Sequence, residues 1–275
     1  MVISREFSFF ACGQPPSFRL QDKIQGTNCT MIFLFIISFV LPHAYTAPAS
    51  SAGKKVSSFS HEQWDALLKK YVSPDGNVDY KGMKADEPRL KSYLDQLAKN
   101  VPDASWSTNQ EMAYWINAYN AFTIALILQH YPVKSIRDIN NSKPWDEPFI
   151  TLGEKKYSLN NIEHDVLRKK FRDPRIHAAI NCASKSCPRM LNAAFTAETL
   201  EAQLTAMMKS FVNDASRNHL SPDKIEVSEI FNWYKGDFTG NGTLIDFLNT
   251  YSSVRIAANA QISYLNYDWS LNEQL

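Results

Sequence analysis

The sequence predicts an α+β fold: a mostly helical single domain, with a small sheet of short strands around a buried central helix. Three observations lead there. Amphipathic stretches with helical spacing recur along the chain, most of them behind a capping or turn signal. Between Glu111 and His130 no residue carries a formal charge, and apolar side chains fall on every side of the helical projection. The short strand-like segments are scattered among the helices, which argues against a regular βαβ array.

The amino terminus stands apart from that domain. The apolar run Met31–Leu41 has the length of a signal-peptide core and is too short to span a bilayer, which takes about 20 apolar residues. Ala47-Pro48-Ala49 fits a small-residue cleavage site, with Ala44-Tyr45-Thr46 as a second option. Residues 1–30 make a poor n-region, so Met31 competes with Met1 as the start. Residues 1–49 are therefore expected to be a signal peptide with a spurious upstream extension, residues 50–59 a disordered lead and residues 60–275 the domain. The protein is expected to be exported, periplasmic or secreted, with no stable transmembrane segment after cleavage; an uncleaved anchor is the alternative. Over 275 residues the net charge is +1, and a nucleic-acid binder usually shows a clustered basic face, so the near-zero charge gives no reason to expect nucleic acid as a partner.

Within the domain, Ser60 and Gln63 have capping-box spacing before a helix carrying Trp64, Leu67, Leu68 and Tyr71. Ser73-Pro74-Asp75-Gly76 is a turn, Val78-Asp79-Tyr80 a short extended piece, and 86–99 a second amphipathic helix. Thr108 and Glu111 are read as the capping box of the central helix, which Pro132 ends. Phe149–Leu152 and Lys155–Tyr157 read as strands joined at Gly153. Asn160 is placed as the cap of a charged helix through Phe171, broken by Asp173-Pro174. Residues 175–182 fit a strand or a helical turn, and 182–188 a loop. Thr196 is placed as the cap of a helix with the stripe Leu200, Leu204, Met207, Met208 and Phe211. A strand at 225–227, a helix capped by Ser228, a turn at 240–242, a helix over 244–251 and a strand at 262–267 complete the chain.

Four features could carry chemistry. Asn117 and Asn120, three residues apart, share one face of the central helix; they either satisfy backbone groups of a neighbouring loop or line a polar site. Glu163-His164 opens the charged helix, and His164 has a titration range suited to acid–base or metal chemistry. His177 lies five residues before Cys182, a spacing that brings the two together neither on a strand nor on a helix. Asn181-Cys182 and Cys187-Pro188 hold the only cysteines of the domain. They fit a disulfide, a catalytic thiolate activated by a nearby base, or, with His164 and His177, a metal site of non-standard spacing.

These same stretches resemble the family called domain of unknown function 547. The resemblance is carried by Val78-Asp79-Tyr80, Tyr114-Trp115-Ile116-Asn117-Ala118-Tyr119-Asn120-Ala121 and Ser158–His164. It continues in Asp173–His177, Asn181-Cys182-Ala183-Ser184, Cys187-Pro188, Phe231-Asn232-Trp233-Tyr234 and Tyr267–Asn272. It implies a fold family and no settled reaction, and maps the recurrent polar residues onto Asn117, Asn120, Glu163, His164, His177, Asn181, Cys182 and Cys187.

The resulting expectation is a cysteine-dependent hydrolase or acyl transferase of the cell envelope, with no cofactor and with an envelope substrate or protein partner. Cys182 is the expected nucleophile and His164 its base. Glu163 or Asn117 is expected to orient the imidazole, and loop amides from 182 to 187 to bind an oxyanion. Asn120, His177, Asn181 and Cys187 are further candidates. The alternatives are a non-enzymatic envelope binding module with a structural Cys182–Cys187 disulfide, its pocket around Asn117 and Trp115, and a metal-binding domain.

Overall fold

The central helix organises everything around it. A computed structural model of the protein describes residues 59–274. The expected leader, and all of the expected lead except Phe59, lie outside the described residues. Phe59 itself packs on the domain, its ring 6.3 Å from that of Trp106 and stacked on it.

Helix α1 (Glu62–Tyr71) buries Trp64, Leu67, Leu68 and Tyr71 on one stripe. Its start differs from the expected capping box. The cap residue is His61, the Ser60 hydroxyl accepts from the Glu62 amide, and Gln63 donates to the Arg89 carbonyl. In the turn that follows, Gly76 takes φ +80 in a conformation that suits glycine. Val78 bridges to Val72 and to Glu273. Asp79 accepts from the Gly82 amide at 2.7 Å and so caps a short helix, α2 (Tyr80–Ala85). α3 (Glu87–Lys99) buries Leu90, Tyr93 and Leu97.

In α4 (Thr108–His130) every residue from Met112 to Ile124 is buried, as a helix without a charged face requires. Its capping box is Ser107 with Gln110, one residue earlier than expected; Glu111 pairs with Lys170 instead. α2, α3 and the segment Asn161–Phe171 all pack against α4.

Strands β1 (Ile150–Leu152) and β2 (Lys155–Tyr157) form an antiparallel hairpin. Asn161–Phe171 is wound as a π-helix, a form that often marks functional stretches. Asn160 does not cap it: its amide donates to Asp146 at 2.6 Å, and Ser158 accepts from the Asn161 amide instead. α5 (Ile176–Ala179) is a single helical turn, and Ile180 is then extended. The cap of α6 (Leu200–Val212) is Thr199, not Thr196.

A three-stranded sheet completes the fold. β3 (His219–Leu220) runs antiparallel to β4 (Lys224–Ser228), and β5 (Gln261–Leu265) runs parallel to β4. The parallel pair is joined through α7 (Ile230–Trp233), α8 (Lys235–Phe238) and α9 (Leu244–Tyr251). β5 ends two residues before Tyr267, earlier than expected. The chain then crosses back, with Ser270 bridging to Ser135 and Leu271 to Ser184. No helix among the described residues is long and apolar enough to cross a membrane.

Candidate active site

The two buried asparagines of α4 do different work. Asn117 is tied at both ends to Phe195, donating to its carbonyl at 2.8 Å and accepting from its amide at 3.0 Å. It holds the segment before α6 and does not line the cavity described below. Asn120 donates to the Ala179 carbonyl at 2.9 Å and accepts from the Asn181 amide at 2.8 Å. It fixes the chain where α5 turns into the cysteine loop.

Asn181 closes that loop. Its amide donates to the Pro188 carbonyl at 2.8 Å, and its oxygen accepts from the Ala183 amide at 2.8 Å. Ala183 sits at φ +62, a left-handed conformation that a non-glycine residue adopts at a cost of about 1–3 kcal/mol. Arg217 holds the far side, donating to the carbonyls of Cys187 and Lys185. The amides of Cys182, Ala183, Lys185, Ser186 and Cys187 all donate within the protein. Of the amides from 182 to 187 expected to form an oxyanion site, these five are engaged within the protein, and that of Ser184 is not among them.

Both thiols are free. The Cys182 amide donates to the Cys187 sulfur at 3.1 Å, and the Tyr267 hydroxyl donates to it at 3.2 Å. Ser184 lies 3.2 Å from the Cys182 sulfur and donates to Tyr267 at 2.8 Å. Burial opposes ionisation of Cys187. Hydrogen bonds from Cys182, Ser184 and Tyr267 outweigh it and take this thiol down to about 6. Hydrogen bonding to Cys187, together with burial, pushes the Cys182 thiol up. The two shifts favour the charge on Cys187, expected from sequence only as a further candidate, over Cys182, the expected nucleophile.

The histidines exchange places relative to expectation. His177 lines the same cavity as both cysteines, because the chain passes from a helical turn to an extended residue between 177 and 182. Its Nε2 is 2.8 Å from Asp237, and its ring stacks on Tyr234 at 4.0 Å. The bond to His177 and two bonds from Arg168 hold the Asp237 carboxyl well below the usual carboxylate range, against the effect of burial. His164, the expected base, does not line the cavity; its Nδ1 meets the Arg168 guanidinium at 3.0 Å. Glu163 does line it, buried, and accepts from Tyr119 at 3.2 Å. Burial and the Glu163 charge push the hydroxyls of Tyr119 and Tyr234 up, so both remain protonated donors.

The cavity measures about 190 Å³. Its lining holds the sulfurs, His177 and Glu163 together with an aromatic group of Trp145, Trp233, Trp269 and Tyr267, the last in contact with both sulfurs. Trp233 stacks on Trp269 at 5.7 Å, and Tyr267 lies 4.8 Å from Trp233. Among the described residues no group of three or more His, Cys, Asp or Glu side chains could hold a metal ion, and His164 stays apart from the thiols. Trp115, expected in the pocket of the binding-module alternative, is buried against Tyr157 instead.

Sequence reasoning missed Asp237, Tyr119, Tyr234 and the aromatic group. Tyr119 stands beside Asn120 in a motif quoted for its asparagines, and Trp233, Tyr234, Tyr267 and Trp269 stand in the two late motifs that carry the resemblance. No local pattern assigned any of them a role. No curated protein and no solved structure is found to match the chain. Residues 104–212, a stretch that holds α4, Glu163, His177 and both thiols, match the model of the family described as protein of unknown function, DUF547; the chain carries a DUF547 domain.

Proposed function

We propose that this DUF547 domain is a cysteine-dependent hydrolase or acyl transferase, working outside the cytoplasm in the cell envelope. One observation carries the reading: a thiol pair with a single low-pKa sulfur faces the same cavity as His177, whose Nε2 is held by Asp237. A thiolate needs a partner that stabilises its charge, and a histidine held by a carboxylate is a base of fixed orientation.

In this reading Cys182, the less buried sulfur, adds to a carbonyl carbon while its proton passes to the Cys187 thiolate. The bond to the leaving group breaks, and that proton leaves with it. The acyl group then rests on Cys182 as a thioester. His177 takes the proton of the incoming water or acceptor, the thioester breaks, and the Cys182 sulfur recovers the proton from the imidazole. His177 thus takes the part that the sequence assigned to His164. The Tyr119 and Tyr267 hydroxyls are engaged with Glu163 and Cys187, so the Ser184 amide is the loop donor left for a developing oxyanion. The export expected from the residue 31–49 pattern supports the location.

The test is the alkylation rate of the purified protein as a function of pH, with the adduct mapped by mass. A reactivity midpoint near 6 is expected, moving toward the ordinary thiol value of about 8.5 in Cys187→Ser. A midpoint near 8.5 in the unsubstituted protein would end the proposal. So would a quantitative Cys182–Cys187 bridge in protein purified from the envelope, which would favour the binding module.

A further inference from the structure

We infer that the cavity beside the thiols binds a cationic ammonium group of the substrate, held between the Trp233, Trp269 and Tyr267 rings and the Glu163 carboxylate. This deepens the preceding reading by naming the group next to the reacting bond, and it rests on the same cavity.

Three independent observations converge on a cation. The first is Glu163. Its side chain is buried at 5% exposure, faces the cavity, and has no ion-pair partner among the described residues. Arg168, whose charge reaches Glu163, is committed to Asp237 by two hydrogen bonds. A buried carboxylate supported only by tyrosine hydroxyls is costly, and an entering cation would relieve that cost.

The second observation is the aromatic group. Trp233 is 47% exposed, one of only two large apolar side chains so exposed among the described residues. Tyr267 is tilted by 50° to Trp233 and 51° to Trp269, which stack on each other, so the rings form an angled cluster and not a flat platform. Such clusters attract ammonium groups through the ring faces. Arg137 already lies over the Trp269 ring at 5.4 Å.

The third is what the cavity lacks. A saccharide stacked on tryptophan needs free polar partners for its hydroxyls. The Tyr119 hydroxyl is bonded to Glu163, the Tyr267 hydroxyl to Cys187, and the Asn160 amide to Asp146. At about 190 Å³ the space suits one alkylammonium head group and not a whole drug-sized ligand, which takes about 300 Å³ or more.

The test uses the full chain carrying Cys182→Ser, which cannot form the Cys182 thioester, so ligand binding is read separately from the thiol chemistry. Choline and its uncharged isostere 3,3-dimethylbutan-1-ol are titrated by calorimetry and tryptophan fluorescence. Choline should bind at least about tenfold more tightly than the alcohol. Adding Glu163→Gln should bring the two within about threefold. Trp233→Ala, at an exposed position that leaves the core intact, should weaken choline by about tenfold even if the Glu163 variant fails to fold. Equal affinity for choline and the alcohol would overturn the inference. So would unchanged choline binding in Trp233→Ala, or binding of N-acetylglucosamine without binding of choline. If choline binds as expected while the alkylation midpoint lies near 8.5, the acyl-transfer reading fails and the ammonium site stands.

Discussion

Replacing Asn120 with alanine removes both ties between α4 and residues 179–181. The Ala179 carbonyl and the Asn181 amide lose partners at 2.9 and 2.8 Å in a nearly water-free setting. Each orphaned group costs about 1–3 kcal/mol. Alanine returns a few tenths through its better helix propensity. The net loss should be about 2–4 kcal/mol, read from urea unfolding at constant m. Asn117→Ala removes two bonds of the same kind, at 2.8 and 3.0 Å, and should cost about as much. The variants part at the thiols. Asn120 positions the chain that carries Cys182, so its loss should move the alkylation midpoint up from about 6, whereas loss of Asn117 should leave it alone. A cost below about 1 kcal/mol for Asn120→Ala, or equal shifts of the thiol profile in both variants, would refute the division of labour drawn here.

Three further outcomes are expected. Burial lowers the pKa of His61 to about 4. The unfolded chain takes up a proton near 6.5 that the folded one refuses, so stability should be full above pH 6.5 and fall by up to about 3 kcal/mol toward pH 4; denaturant titrations of the protein and of His61→Gln, whose profile should be flatter, check this. The Asp237 carboxyl is depressed by His177 and Arg168, so its contribution is present above pH 4 and disappears as pH falls through the depressed value; Asp237→Asn should show a shallower acid limb in the same titrations. Gly76→Ala would put a Cβ 2.6 Å from the Met190 amide nitrogen at φ +80, and should cost more than about 1 kcal/mol in urea unfolding.

Local composition made α4 legible. A stretch of helical length without charge can only be buried, and it is buried on every side. The caps were less legible. Ser107 with Gln110 and Thr108 with Glu111 offer the same hydroxyl-to-acid-or-amide spacing one residue apart, and the choice falls to Glu111's ion pair with Lys170. Asp79 caps a helix whose start the local pattern did not mark, and α6 begins after Thr199, three residues past the expected Thr196 and without a side-chain cap bond. The relation of His177 to Cys182 was hidden because both regular geometries were tried and the chain uses one after the other. Asp237 could not be paired with His177 across sixty residues, since nothing local distinguishes it from a solvated aspartate. The cysteine loop, Glu163 and the Asn pair were visible as unusual residues. Which of them meet is a tertiary fact.

The reactive groups of the cavity and most of its aromatic lining, Trp145 and Tyr119 excepted, come from different stretches of the chain. Glu163, His177 and both sulfurs lie within residues 104–212, whereas Trp233, Tyr234, Tyr267 and Trp269 follow them. An excised 104–212 fragment would carry the reactive groups with half their enclosure stripped away, open to bulk water. Substitutions at Trp233 and Trp269 can therefore reshape what the cavity admits while Glu163, His177 and both sulfurs stay in place, whereas Asp237 and Tyr267 set the state of those groups from the later stretch. Two chains alike except at those two tryptophans would share their chemistry and part in diet.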